Sequence, residues 1–268
     1  MLPYYLFQFA CIVFLFLFSL PGAKGRIHVL INSMKDHSIS VQTLMESFQL
    51  SCGSNFDSIQ FWIVYGGYYD LENYKVGING NVIKVEAYHN SIDFTAFIAI
   101  LELFQHSDFL TKLPQSLEVD DMLFYMHDTC KVGPGFCNLL LGEWSQKATE
   151  EQDTFMTARL SDSHSMNIGL YRLSYLFKYL EFLVFATINT DPSYVNYYKT
   201  KGLVWEDFLF QLDPDCQVLA PGPWTFSSPY DVYGTGVLRR MEYFQAIDFY
   251  KFKSNWEYRP GDDFELRE

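Results

Sequence analysis

A chain of 268 residues, 49% apolar and 18% aromatic, can bury enough surface to offset its ordering entropy, which excludes disorder and low complexity. Lys and Arg number 19 against 32 Asp and Glu, a formal net charge of −13. Such a chain lacks the cationic face that displaces counterions from nucleic acid, and it repels anionic ligands unless a metal or a local basic cluster intervenes.

Residues 2–20 (LPYYLFQFACIVFLFLFSL) carry no charge. A helix at about 1.5 Å per residue would reach roughly 28 Å there, close to the thickness of a hydrocarbon core. Pro21 and Gly22 stop it, and Lys24 and Arg26 follow. Residues 1–25 therefore read as a targeting segment, either a signal peptide cut near Ala23 or an uncleaved transmembrane anchor. The expected place is a single-pass protein of an endoplasmic reticulum or Golgi membrane, with secretion as the alternative if the segment is cleaved. No linker or repeat divides residues 26–268, which read as one domain.

Within that domain, residues 26–32 (RIHVLIN) are a short apolar run of strand type. Residues 37–50 follow as an amphipathic helix with Val41, Leu44, Met45 and Phe48 on one face and Ser38 as its cap. Residues 59–65 (IQFWIVY) form a second strand ended by Gly66 and Gly67. Asn79 and Gly80 mark a turn before a third strand, 82–88, and residues 91–104 carry helical periodicity through Phe94, Phe97, Ile98, Leu101 and Phe104. A fourth strand, 122–126 (MLFYM), runs into His127, Asp128 and Thr129. Strands alternating with helices predict an α/β fold, a mostly parallel sheet with helices on both faces. Beyond Cys137 the pattern breaks down into a helical stretch and an aromatic tail rich in Pro and Gly.

Four cysteines follow the targeting segment, enough for two disulfides in any of three connectivities, and Cys130 and Cys137 flank a short loop as the expected local pair. Neither Cys-x-x-Cys nor zinc-spaced His occurs beside them, and the sequence has no nucleophile elbow, phosphate-binding P-loop or dinucleotide fingerprint.

In open α/β sheets, ligands bind outside the carboxyl ends of the strands. Each predicted strand is followed at once by polar or glycine residues: Asn32 and Ser33, Gly66 and Gly67, Asn90 with Ser91 and Asp93, and His127-Asp128-Thr129. Four such clusters on one edge would line a single cleft. The pair Asp120 and Asp121 would fall at the other edge, as solvated surface.

RIHVLINS at the start, with a strand ending in FYMHDT near position 128, resembles the nucleotide-binding half of a GT-A-type glycosyltransferase, a Rossmann-like fold. The resemblance covers roughly residues 26–210 by order and placement. It implies transfer of a sugar from a nucleotide-diphosphate donor to a glycan, lipid or protein acceptor. It implies too that Asp128 and His127 stand where the family places its acidic Asp-x-Asp metal motif, so Mn²⁺ or Mg²⁺ is the expected cofactor. His-Asp-Thr supplies one carboxylate where the family prefers two. SHSMNIGLYR (163–172) resembles the loop and helix that shape the acceptor side, and Glu206 and Asp207 resemble the acidic pair that supplies the general base. Asn32, Ser33, Gly66, Gly67, Asn90, Asp93, Arg172 and Arg239 are then the donor-binding candidates, with His164 beside the acceptor loop. The segment YGTGV before Arg239 could bring backbone N–H groups to a phosphate, and Arg172, Arg239, Arg240 and Lys251 could neutralise the leaving diphosphate. Trp205, Trp224, Tyr230, Tyr233, Tyr243 and Trp256 suit stacking on sugar rings, though core packing accounts for them better. Two other readings remain open: a catalytically degenerate member of the same fold that binds or scaffolds at a membrane, and metal-assisted hydrolysis by His127 and Asp128 in a different α/β topology.

Overall fold

The computed structural model describes residues 25–162, 166–191 and 206–254. The N-terminal apolar segment, His164, Trp205 and Trp256 lie outside these residues.

Strand β1 (Ile27–Met34) leads into helix α1 (Ser38–Cys52), then β2 (Phe61–Gly66), the hairpin of β3 (Lys75–Asn79) and β4 (Val82–Glu86), and helix α2 (Thr95–Phe104). Strand β5 (Met122–His127) is followed after two residues by β6 (Cys130–Val132), and then by a helical run, α3 (136–150), that contains a π-helical stretch. The chain continues through β7 (Thr157–Arg159), β8 (Gly169–Arg172), α4 (Leu173–Phe177), α5 (Leu180–Thr187), α6 (Phe208–Gln211) and β9 (Gln217–Val218). It ends in β10 (Thr225–Phe226), β11 (Arg239–Phe244) and β12 (Phe249–Ser254).

The large sheet has eight strands in the order β3-β4-β2-β1-β5-β8-β7-β9. Its centre, β4-β2-β1-β5, is parallel, while β3 and β8 run against their neighbours. The protein is thus an α/β fold built on a large mixed sheet with a parallel centre.

Both faces of β1 are covered, which is why its sequence is a nearly continuous apolar run rather than an alternating one. Val29 and Ile31 pack toward α1, whose Val41, Leu44 and Phe48 recur at helical spacing, while Leu30 joins Trp62, Val64 and Tyr125 under α2. Cys52, at the end of α1, forms a disulfide with Cys137 in the first turn of α3. The expected Cys130–Cys137 pair does not form: Cys130 sits on β6 as a buried free thiol, and α3 turns Cys137 toward α1. Residues 169–172, expected within a loop and helix, are instead strand β8, paired antiparallel with β5.

The aromatic tail builds a second sheet, β10-β11-β12-β6. Because β6 begins two residues after β5 ends, the tail is drawn to the carboxyl edge of the parallel strands, where Phe252 N–H donates to Thr129 O at 2.8 Å.

Candidate functional site

The parallel register sets Asn32 beside His127, and Met34 beside Gly66, at the carboxyl ends of β1, β5 and β2. Alternation along the strands then divides the polar side chains between two sides of this edge.

On the α2 side, Asn32 spans the turn into the helix, donating from Nδ2 to Ile92 O at 2.9 Å and accepting Ala96 N–H at 3.0 Å. Asn90 Oδ1 accepts Ile92 N–H at 2.9 Å. Between these two clamps Ile92 adopts φ 53°, a left-handed conformation that a β-branched residue holds only when its surroundings impose it. Asp93 follows. Its carbonyl accepts Asn167 Nδ2 at 3.0 Å and the Tyr125 hydroxyl, and its Oδ1 lies 3.5 Å from His127 Nε2. His127 Nε2 is also 2.9 Å from Asn167 Oδ1. Behind this turn, burial lowers the His89 pKa to about 4, so a neutral ring bridges Ser91 and Tyr74. The Ser91 hydroxyl is spent on that ring.

On the α1 side, Asp128 is 5% exposed and its Oδ2 has two partners: Ser33 Oγ at 2.8 Å and His37 Nδ1 at 3.0 Å. His37 stands at the start of α1 in place of Ser38 as the residue before the helix, and its ring turns to Asp128 rather than capping the helix. Beyond Asp128, Thr129 Oγ1 accepts the buried Lys251 ammonium at 2.9 Å.

Glu206 is close enough to this edge for the charges of Asp93, Lys251 and Lys253 to act on it. Its surface is exposed, yet the loss of hydration around its carboxyl group, and then the charge of Asp93, push its pKa up to about 7, against the pull of Lys251 and Lys253. Asp207 Oδ1 accepts Gln211 Nε2 at 3.0 Å along α6.

The remaining candidates divide sharply. Gly66 and Gly67 hold the end of β2. A Cβ on Gly66 would press on Thr95 at 3.1 Å, and Gly67, at φ 95°, donates to His89 O at 3.0 Å. Arg239 opens β11 with its guanidinium carbon 5.4 Å from the Tyr233 ring centre. Arg172 is at the opposite edge, paired with Met122 at the start of β5, buried, and donating to the carbonyls of Phe155, Asp120 and Ala148. Asp121 is there too, buried rather than solvated. The YGTGV loop offers no free amides to a phosphate at Thr235 and Gly236: both donate to the Asp231 carboxylate, at 3.0 and 2.7 Å. A recess of about 220 Å³ lined by Ser47, Ser51, Lys131 and Tyr250 lies between α1 and the second sheet, away from these groups.

Mn²⁺ and Mg²⁺ need several donors converging on one point. His127 and Asp128 turn to opposite sides of the strand end, one to Asp93 and Asn167, the other to Ser33 and His37. As a pair they do not fit one ion, and no group of three His, Cys, Asp or Glu suited to a metal occurs among the described residues.

Two participants were not singled out from sequence. His37 looked like the first residue of a helix, and Asn167 lay in a stretch without clear periodicity; only the three-dimensional pairing of β1 with β5 and of β8 with β5 brings them in. No protein-family model matches the chain, and no curated protein matches it in sequence.

Proposed function

We propose that the protein transfers a sugar from a nucleotide-diphosphate donor, with Glu206 as general base. What supports this reading is the raised pKa of Glu206, about 7, pushed up by loss of hydration and then by the charge of Asp93, which lies at the carboxyl edge of the parallel strands. A carboxylate so poised accepts a proton at neutral pH more readily than an ordinary one. In the proposed step the acceptor hydroxyl oxygen bonds to the anomeric carbon, the bond from that carbon to the diphosphate oxygen breaks, and the hydroxyl proton passes to Glu206. The diphosphate leaves with the electron pair.

The sheet supports a GT-A-type reading. Three parallel strands run outward from β1 through β2 to β4, β5 returns on the other side of β1, and an antiparallel strand follows. The second sheet is attached just after Asp128. The Cys52–Cys137 disulfide suits an oxidising compartment, consistent with delivery by the N-terminal segment to the secretory membranes. No helix among the described residues is long and apolar enough to cross a membrane.

The test is a thermal-shift panel on the full-length protein in detergent, with UDP, GDP and CMP sugar conjugates, each with and without Mn²⁺. A ligand at about 100 times its Kd stabilises by roughly 2.7 kcal/mol, a shift of several degrees. One donor class should stabilise the protein, and Glu206→Gln should retain that shift while losing transfer by about 10²–10⁴-fold. Absence of any shift would overturn the transferase. The divergence of His127 and Asp128 would then favour a degenerate binding or scaffolding member of the fold.

A further inference from the structure

We propose that His28, Gln60 and Trp62 hold one internal water molecule at the amino ends of β1 and β2, a binding site at the opposite end of the strands from Asp128. It is independent of the part given to Glu206.

The strand register brings the three side chains together. Val29 pairs with Phe61 and Leu30 with Trp62, and Val29 N–H donates to Gln60 O at 3.0 Å. His28 therefore stands beside Gln60. Alternation turns both of them, with Trp62 two residues further on, to the face that α2 covers. There the chain from Phe109 to Asp121 closes over all three. His28 Nε2 meets Asp121 Oδ2 at 3.0 Å, and Gln60 Oε1 accepts Gln115 N–H at 3.1 Å. The Trp62 ring lies edge-on to that of Phe109, with 5.9 Å between centres. His28 and Trp62 expose no surface, and Gln60 is 1% exposed.

Each of these side chains has one nitrogen to spare. His28 Nδ1, Gln60 Nε2 and Trp62 Nε1 are buried with no hydrogen-bond partner among the described residues. Buried polar atoms are almost always bonded, so three neighbouring exceptions point to a shared partner. The chemistry of that partner follows from what each nitrogen offers. The Gln60 oxygen is taken by Gln115, which leaves the amide hydrogens to donate, and an indole N–H only donates. Water accepts both in its lone pairs and gives a hydrogen to the lone pair on His28 Nδ1. That makes about three bonds, the usual number for an internal water. When the ring is charged, Nδ1 donates to the water in place of one amide hydrogen. An anion only accepts, so it would need all three nitrogens to donate. Arg26, 3.2 Å from Asp121 Oδ2, already pairs the carboxylate on the far side of the ring. The water ties β1 to β2 beneath their cover.

The experiment is NMR of the full-length protein in detergent, with nitrogen-15 in its 5 tryptophans. Trp62→Phe assigns the Trp62 indole signal by its loss. In the wild type that indole hydrogen should receive magnetisation from water, with a sign that reverses between laboratory-frame and rotating-frame transfer. The reversal marks a held water, whereas plain hydrogen exchange keeps its sign. Gln60→Met, close in volume, should remove the transfer while the remaining indole signals stay in place and report an intact fold. Absence of a sign-reversing transfer in the wild type overturns the proposal, and the N–H then rests on the Phe109 ring. A transfer unchanged in Gln60→Met overturns it too. So does a shift of the Trp62 signal alone on replacing chloride by bromide, which would make the occupant an anion. Should Gln60→Met fail to fold, the wild-type transfer decides by itself.

Discussion

The two ends of the parallel strands carry similar residues and treat them in opposite ways. At the amino ends, the buried carboxylate of Asp121 accepts Arg26 N–H at 2.8 Å, Glu118 N–H at 2.9 Å and His28 Nε2 at 3.0 Å. Burial alone would raise its pKa, but the bond from His28, with the charge and backbone N–H groups beside it, holds it below the usual carboxylate range. Arg172 likewise uses its guanidinium on three carbonyls. At the carboxyl ends, His37 keeps an open ring nitrogen, the Glu206 pKa is raised, and Ile92 is held in a left-handed turn. The charges of Asp121 and Arg172 at the first edge are paired by the protein itself and stabilise it, although His28 Nδ1 there is buried without a partner among the described residues. Those at the second are left partly unsatisfied, which costs stability unless something binds there.

Removal of Arg172 should break the first edge most severely. Arg172→Leu leaves the carbonyls of Phe155, Asp120 and Ala148 without their donor in a buried setting, at roughly 1–3 kcal/mol for each left unpaired. Urea denaturation should show a loss of several kcal/mol, or no folded protein at all. A variant of near-native stability would mean that water reaches these carbonyls and that the two edges are not so different.

A substitution at the second edge should act with the opposite sign. Glu206 titrates near 4.5 when unfolded and about 7 when folded. A raised pKa contributes stability that is fully present below the unfolded value and is lost as pH rises through the folded one. Glu206→Gln has no charge to gain, so its melting temperature should match the wild type near pH 4 and exceed it at pH 8.5. The difference should grow through about pH 7. Equal melting temperatures at both ends would mean that the carboxyl is freely hydrated and that its fitness as a base is ordinary.

The legibility of these features from sequence follows the same division. Residues 26–32, 59–65, 82–88 and 122–126 are runs apolar enough to mark four strands, and β1, β2, β4 and β5 lie within a residue or two of them. Strand β3 left no such mark, because its residues are nearly all exposed and only the hairpin partner defines it. The second sheet was hidden for a different reason: β6 is three residues long, and its partner β12 comes from the far end of the chain. Site residues at the ends of the apolar runs, Asn32, Ser33 and Asp128, were visible as punctuation, although β1 extends through Asn32 and Ser33. Arg172 was not separable from them, since a buried Arg that clamps carbonyls and an Arg that meets a phosphate look alike in sequence. His37 became visible only when Asp128 was found beside it.

The smallest expected effect concerns Ile92, and it separates strain kept for function from strain that side-chain packing imposes. Left-handed backbone costs an L-residue about 1–2 kcal/mol, and Asn tolerates it better than a β-branched residue does. Ile92 is half-buried, so Ile92→Asn also surrenders some apolar contact, and the net gain should fall below about 1 kcal/mol, a rise of one to three degrees in melting temperature. The clamps from Asn32 and Asn90 act on the backbone of residue 92, so they should survive the change and keep Asp93 in place. Nucleotide affinity should therefore be unchanged in Ile92→Asn. In Ile92→Gly it should fall, because glycine relieves the same strain while widening the conformations available before binding. A fall in melting temperature for Ile92→Asn would show that the side chain's packing outweighs the backbone strain, and the turn would then belong with the self-satisfied edge rather than the open one.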